Sequence, residues 1–99
     1  QSMNRQEALR RLQAASPRLK AAGVGALYLF GSTARDEAGP ASDVDLFFDP
    51  AHNRLSLFDV MEVRDIAQEE VGIKVDLCTR SSLHPALRAD IEAEAVRVF

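Results

Sequence analysis

Apolar and polar positions change period several times along this chain, and each change marks an element. Ala8, Leu9, Leu12, Ala15 and Leu19 recur at helical spacing and predict a first amphipathic helix. Ser16-Pro17 falls inside it, which predicts a kink or a restart with proline at a first helical position, and Gly23 suits its end. Ala26 to Phe30 is an apolar run read as a buried strand, with Tyr28 part of the core. The run breaks at Gly31, where the smallest residue permits a tight turn, and Ser32 opens a short helix. Asp36 to Ser42, with Gly39-Pro40, reads as a turn-rich loop. Alternation then begins: Val44 and Leu46 point into a core, while Asp43 and Asp45 project from the other face.

After Asp49-Pro50 a polar loop leads to Ser56, an N-cap for a helix from Leu57 to about Val71. Its apolar stripe is Leu57, Met61, Ile66 and Ala67, and Gly72 closes it. Ile73, Val75 and Leu77 alternate with Lys74, Asp76 and Cys78, so a third strand turns Asp76 out of the core. A last helix from about Pro85 is expected to bury Leu87, Ile91 and Ala95. Strands alternating with helices predict an α/β or α+β fold, helices over a small sheet, and strands this short permit a mixed sheet.

Two segments carry candidate chemistry. A strand that ends in Gly31-Ser32 and enters a helix leaves backbone N–H groups pointing at one spot, which suits a phosphate. Ser32 adds a hydroxyl donor. Arg35 offers a guanidinium that either forks onto phosphate oxygens or pairs locally with Asp36 or Glu37. Asp43 and Asp45, with Cα atoms roughly 6.6 Å apart on one strand face, can converge on a hard cation, or on a pair of them, without any unusual pKa. If the Asp76 strand lies alongside, three carboxylates share a surface, and their mutual repulsion implies bound metal.

Composition narrows the class further. Residues 3–99 read as one globular domain, with Gln1-Ser2 before Met3 resembling a tag remnant. The sequence has no run of about 18 apolar residues and nothing like a signal peptide, and its single Cys78 cannot form an internal disulfide, so the expected setting is a reducing cytoplasm. Cys78 reads as a small, partly buried residue, and His52 and His84 are isolated without metal-ligand spacing. Net charge is −3, split into +5 over residues 1–35 and −8 over residues 36–99. The basic cluster Arg5, Arg10, Arg11, Arg18 and Lys20 is either a solvated helix face or a docking surface for a protein. Nucleic-acid binding is disfavoured by a pI near 5.3.

Gly31-Ser32, Arg35, Ser42-Asp43-Val44-Asp45-Leu46 and the later Asp76 together resemble the signature of the minimal nucleotidyltransferases. The resemblance spans Leu29 to Leu77 and most flanking segments. It implies the small DNA-polymerase-β-like nucleotidyltransferase core, with Asp43, Asp45 and Asp76 holding Mg²⁺, a pair of ions, and Gly31, Ser32, Arg35 and Ser42 around the nucleotide. It further implies transfer of AMP from ATP to a hydroxyl, with Asp76 helping to deprotonate the acceptor. So short a chain leaves little room for acceptor recognition, and the family's usual partner is a HEPN-type ribonuclease toxin, modified on tyrosine, with the transferase as its antitoxin. Two alternatives stay open: an antitoxin that neutralises by contact alone, and a stand-alone transferase acting on a small molecule. The chain departs from the family pattern at Asp36, where glycine is usual, which adds a negative charge near the expected phosphate position.

Overall fold

The computed structural model describes residues 3–39 and 42–99. Gln1 and Ser2, read as a tag remnant, lie outside the described residues, as do Pro40 and Ala41 of the loop before Asp43. The first helical stretch is two helices, α1 (Arg5–Ala14) and α2 (Ser16–Ala21), with Pro17 in the first turn of the second. Proline has no N–H to give up at that position, so the break is a restart. Then follow β1 (Val24–Phe30), α3 (Gly31–Ala34), β2 (Val44–Pro50), α4 (Leu57–Val71), β3 (Val75–Thr79), a 3-10 turn at Arg80–Ser82, α5 (Pro85–Glu94) and β4 (Val96–Arg97).

The sheet order is β3-β2-β1-β4. β1 runs antiparallel to both β2 and β4, whereas β2 and β3 are parallel, as a helical crossover through α4 allows. The sheet is therefore mixed. One of its faces carries Leu27, Leu29, Val44, Leu46, Phe48 and Val75, all buried against Ala8, Leu12 and Leu19 of α1 and α2 and Val63, Ala67 and Val71 of α4. The opposite face is only partly covered, by α5 and the 3-10 turn, and this leaves room for a site.

Helix α4 starts and stops where expected. Ser56 and Asp59 form a reciprocal capping box, and Gly72 ends the helix at φ 77°. Its rotation differs from the expected stripe. The inward line is Val63, Ala67 and Val71, with Val60 and Ile66 beside it, which turns Leu57 and Met61 outward at 73% and 42% exposure. In α5 no residue is fully buried and Leu87 is 54% exposed, so the expected burial of Leu87 does not occur. Tyr28 is likewise not core. It lies half-buried on the open face, stacked on Phe47 with ring centroids 4.9 Å apart and covered by the Arg80 guanidinium.

The basic residues of the first two helices mostly bind their own domain. Arg10 and Arg11 both reach Glu7, and Arg11 also donates to the Val71 carbonyl that α4 leaves open at its end. Arg18 sits between Glu69 and Glu70, and the Lys20 ammonium lies over the Phe99 ring. This intramolecular pairing speaks against a free basic docking face. No helix among the described residues is long and apolar enough to cross a membrane.

Candidate active site

The site is built where β1 ends. Gly31 follows Phe30 with φ 74°, a left-handed conformation that L side chains adopt at a cost. Antiparallel register sets Phe30 opposite Asp45, so the turn after Phe30 falls directly against the Asp45 side chain. A Cβ at position 31 would run into the Asp45 carboxylate. Glycine is required there twice over, by conformation and by space.

Asp45 is in parallel register with Asp76 on β3, which places the two carboxylates side by side on the open face. Asp43, just before β2 and two residues from Asp45, is approached by Lys74, with Nζ 3.9 Å from Oδ2. Partial burial pushes the Asp45 carboxyl above its ordinary value, and the neighbouring Asp76 and Asp43 charges push it further. Like-charge crowding of this kind is relieved by a cation. Among the described residues no three acidic, His or Cys side chains already converge tightly enough to hold an ion. The donor set nevertheless fits a hard divalent metal, since all three groups are carboxylates and Asp45 carries electrostatic strain that such an ion removes.

Helix α3 has four residues, with Phe30 as its N-cap, so it opens one residue before Ser32. A helix this short has little macrodipole. What it offers a phosphate is the backbone N–H groups of its first turn, which have no intrahelical acceptor by construction. The remaining expected nucleotide residues are otherwise engaged. The Arg35 guanidinium pairs with Glu37 at 2.9 Å and with Glu94 at 2.8 Å, so it takes the local-pairing alternative. Ser42 Oγ accepts from the Gly39 N–H at 2.9 Å and staples the loop that leads to Asp43. Asp36 adopts φ 61° and its Oδ1 accepts from the Arg5 N–H at 3.0 Å, capping the start of α1 instead of facing a phosphate. Arg5 returns the contact through its side chain, donating to the Ala34 carbonyl.

Two contributors had no signal in the sequence. Glu94 reaches the site only because α5 folds back over α3 and β1. Arg80 lies over both Tyr28 and Phe47 while pairing with Asp49 and Glu92, forming the wall behind the carboxylates. Cys78, next on the same strand face after Asp76, has its thiol pushed up by burial and by Asp76 and Asp45, which keeps it protonated and a poor nucleophile. A cavity of about 530 Å³ opens at the far end of β3, around Leu55, Leu57, Val60 and Thr79, and includes none of the three aspartates.

The chain as a whole has counterparts among known proteins. Residues 7–98 match the family model described as a nucleotidyltransferase domain. A Methanocaldococcus jannaschii protein named as a candidate protein adenylyltransferase is 34% identical over 76 residues, covering 76% of each chain. The protein adenylyltransferase MntA of Thermococcus cleftensis is also 34% identical over 76 residues, covering 77% of this chain and 76% of its own. Among solved structures, a minimal nucleotidyltransferase superposes with a TM-score of 0.82 at 28% identity, covering 95% of both chains. A complex of a tri-AMPylated Shewanella oneidensis HEPN toxin with an MNT antitoxin shares the fold, with a TM-score of 0.64 at 17% identity over 92% of this chain and 71% of that one. A glycine turn against one carboxylate, a second carboxylate in register beside it and a family match over nearly the whole length lead to one conclusion: the chain belongs to the minimal nucleotidyltransferases.

Proposed function

We propose that this nucleotidyltransferase moves AMP from ATP onto a hydroxyl, a tyrosine by preference, of a HEPN-type toxin, and so acts as the toxin's antitoxin. The observation that carries the reading is the juxtaposition of Gly31-Ser32 with Asp45 and Asp76, which puts a glycine turn with free backbone N–H groups beside paired carboxylates. Relatives named as protein adenylyltransferases and the fold shared with an antitoxin bound to an AMPylated HEPN toxin support the choice of group and partner.

Asp43, Asp45 and Asp76 would hold Mg²⁺, as a pair of ions, which supplies charge neutralisation on the triphosphate. Gly31 and Ser32 bind triphosphate oxygens through backbone N–H groups and the Ser32 hydroxyl, and Ser42 keeps the Asp43 loop closed. The acceptor oxygen forms a bond to the α-phosphorus while the bond to the β-phosphate oxygen breaks. Its proton passes to Asp76, and pyrophosphate leaves. Asp76 is suited to that role by its exposure on the open face, where an acceptor presented by another protein has access.

The test is to mix the chain with the candidate toxin, MgATP and, in parallel, EDTA, and to weigh the toxin. AMP adducts that appear only with the metal, and vanish on Tyr→Phe substitution of the acceptor, support the reading. An unmodified toxin that is nonetheless silenced in a tight complex would mean neutralisation by contact. Adducts on a free small molecule alone would mean a stand-alone transferase.

A further inference from the structure

Arg35 closes the short helix that opens at the Gly31-Ser32 turn, its backbone N–H donating to the Gly31 carbonyl at 3.1 Å, and so carries a cation one helical turn from the expected phosphate position. Its guanidinium is already held by two carboxylates from different parts of the chain. Glu37 follows in the same loop, and Glu94 comes from the last residue of α5. Both bonds are short and charge-assisted, at 2.9 and 2.8 Å, and Glu94 is the more sheltered partner, at 29% exposure against 66% for Glu37. α5 packs on α3, and α3 opens at Gly31 directly against Asp45, so the pair stands at the helix that joins the turn to the carboxylate centre.

We infer that Glu94, with Glu37, is a latch that holds Arg35 off the nucleotide, and that triphosphate binding must exchange these ion pairs for phosphate contacts. This rests on the nucleotide reading proposed above and adds to it a positioning residue, Glu94, that sets affinity for the nucleotide from outside the carboxylate centre. Glu37 occupies Nε and Glu94 occupies Nη1, so a phosphate that forks onto Nε and Nη2 displaces Glu37, and one that forks onto Nη1 and Nη2 competes with Glu94. Breaking the latch also frees the end of α5, which links nucleotide occupancy to the helix that half covers the open face.

The test is calorimetric titration of MgATP into the full chain and its Glu94→Gln, Glu37→Gln and Glu70→Gln variants. Glutamine keeps the size of the side chain and removes the charge. Glu70 lies on α4 beside Arg18 and controls for the general loss of one negative charge. The latch predicts that Glu94→Gln binds MgATP roughly two- to tenfold more tightly than the parent, that the exposed Glu37→Gln shows a smaller gain, and that Glu70→Gln shows none. Structural damage lowers affinity, so a gain is not a trivial outcome. Equal or weaker binding by Glu94→Gln, with measurable binding by the parent, would overturn the latch and leave the nucleotide reading intact. Absence of binding in the parent and all variants would overturn both.

Discussion

The carboxylate of Asp45 lies directly against the bare Cα of Gly31, with no space between them for a methyl group. The contact joins the phosphate turn to the carboxylate centre, and glycine is the only residue that satisfies it at φ 74°. Gly31→Ala is therefore expected to destabilise the fold by about 1–2 kcal/mol through the left-handed backbone alone. Transfer activity should fall further than that loss explains, because the added methyl displaces a carboxylate as well. Denaturant unfolding paired with an AMP-transfer assay at a temperature where the variant is fully folded separates the two effects.

Asp45 gives a pH prediction of definite sign. Its carboxyl is raised in the folded state, first by burial and then by Asp76 and Asp43, so the folded protein holds that proton to higher pH than the unfolded chain does. The stability this contributes is complete below the ordinary carboxylate range and is lost as pH rises through the raised value. At neutral pH the ionised Asp45 therefore works against the fold. Asp45→Asn should raise Tm by about 2 °C at pH 7 in EDTA and abolish transfer. The difference in Tm should shrink as the buffer approaches pH 4, and also when Mg²⁺ is added to the parent, since the ion binds only the folded carboxylate set. A variant that melts earlier than the parent at pH 7 would show that Asp45 is structural.

How far the sequence revealed the molecule depended on whether the information was local. Alternation around Val44-Asp45-Leu46 and Val75-Asp76-Leu77 assigned each aspartate to the open face without knowledge of the rest of the chain, and capping chemistry located both ends of α4. The rotation of α4 was harder to read, because the lines through Leu57 and Met61 and through Val63 and Ala67 are both apolar, and the choice between them is made by tertiary packing. β4 has two residues and pairs with β1 through Arg97 and Val96, too short a segment to show any period. Arg35, Asp36 and Ser42 were legible as a motif but not as contacts. Their partners Glu94, Arg5 and Gly39 are set by tertiary packing or by the loop's own closure.

Asp36 separates motif from contact. Its side chain caps α1 at the Arg5 N–H while its backbone sits at φ 61°, so its charge is spent away from the phosphate turn. Asp36→Gly relieves the backbone and removes the hydrogen bond, and the two should nearly cancel. Asp36→Ala keeps the strain and loses the bond, and is expected to cost about 1–2 kcal/mol. MgATP affinity should be unchanged in both. A tighter complex with Asp36→Gly, measured by calorimetry, would return Asp36 to the phosphate site.

Arg80 offers a larger effect at a position remote from the motif. Its guanidinium lies 4.8 and 4.9 Å from the Tyr28 and Phe47 ring centroids and forks onto both oxygens of Asp49, at 2.8 and 2.9 Å, while its third nitrogen meets Glu92 at 2.7 Å. These partners hold the guanidinium protonated well beyond its already high ordinary value. Removing it exposes two rings and leaves two carboxylates facing each other without a cation, in a site where the side chain is mostly covered. Arg80→Ala should cost about 2–3 kcal/mol. Arg80→Lys should recover less than half of that, since an ammonium can neither fork onto Asp49 nor lie flat over the rings. Thermal unfolding of the two variants, alongside the parent, measures the ranking. Full recovery by lysine would show that charge alone, and not the planar fork, holds the wall behind the carboxylates in place.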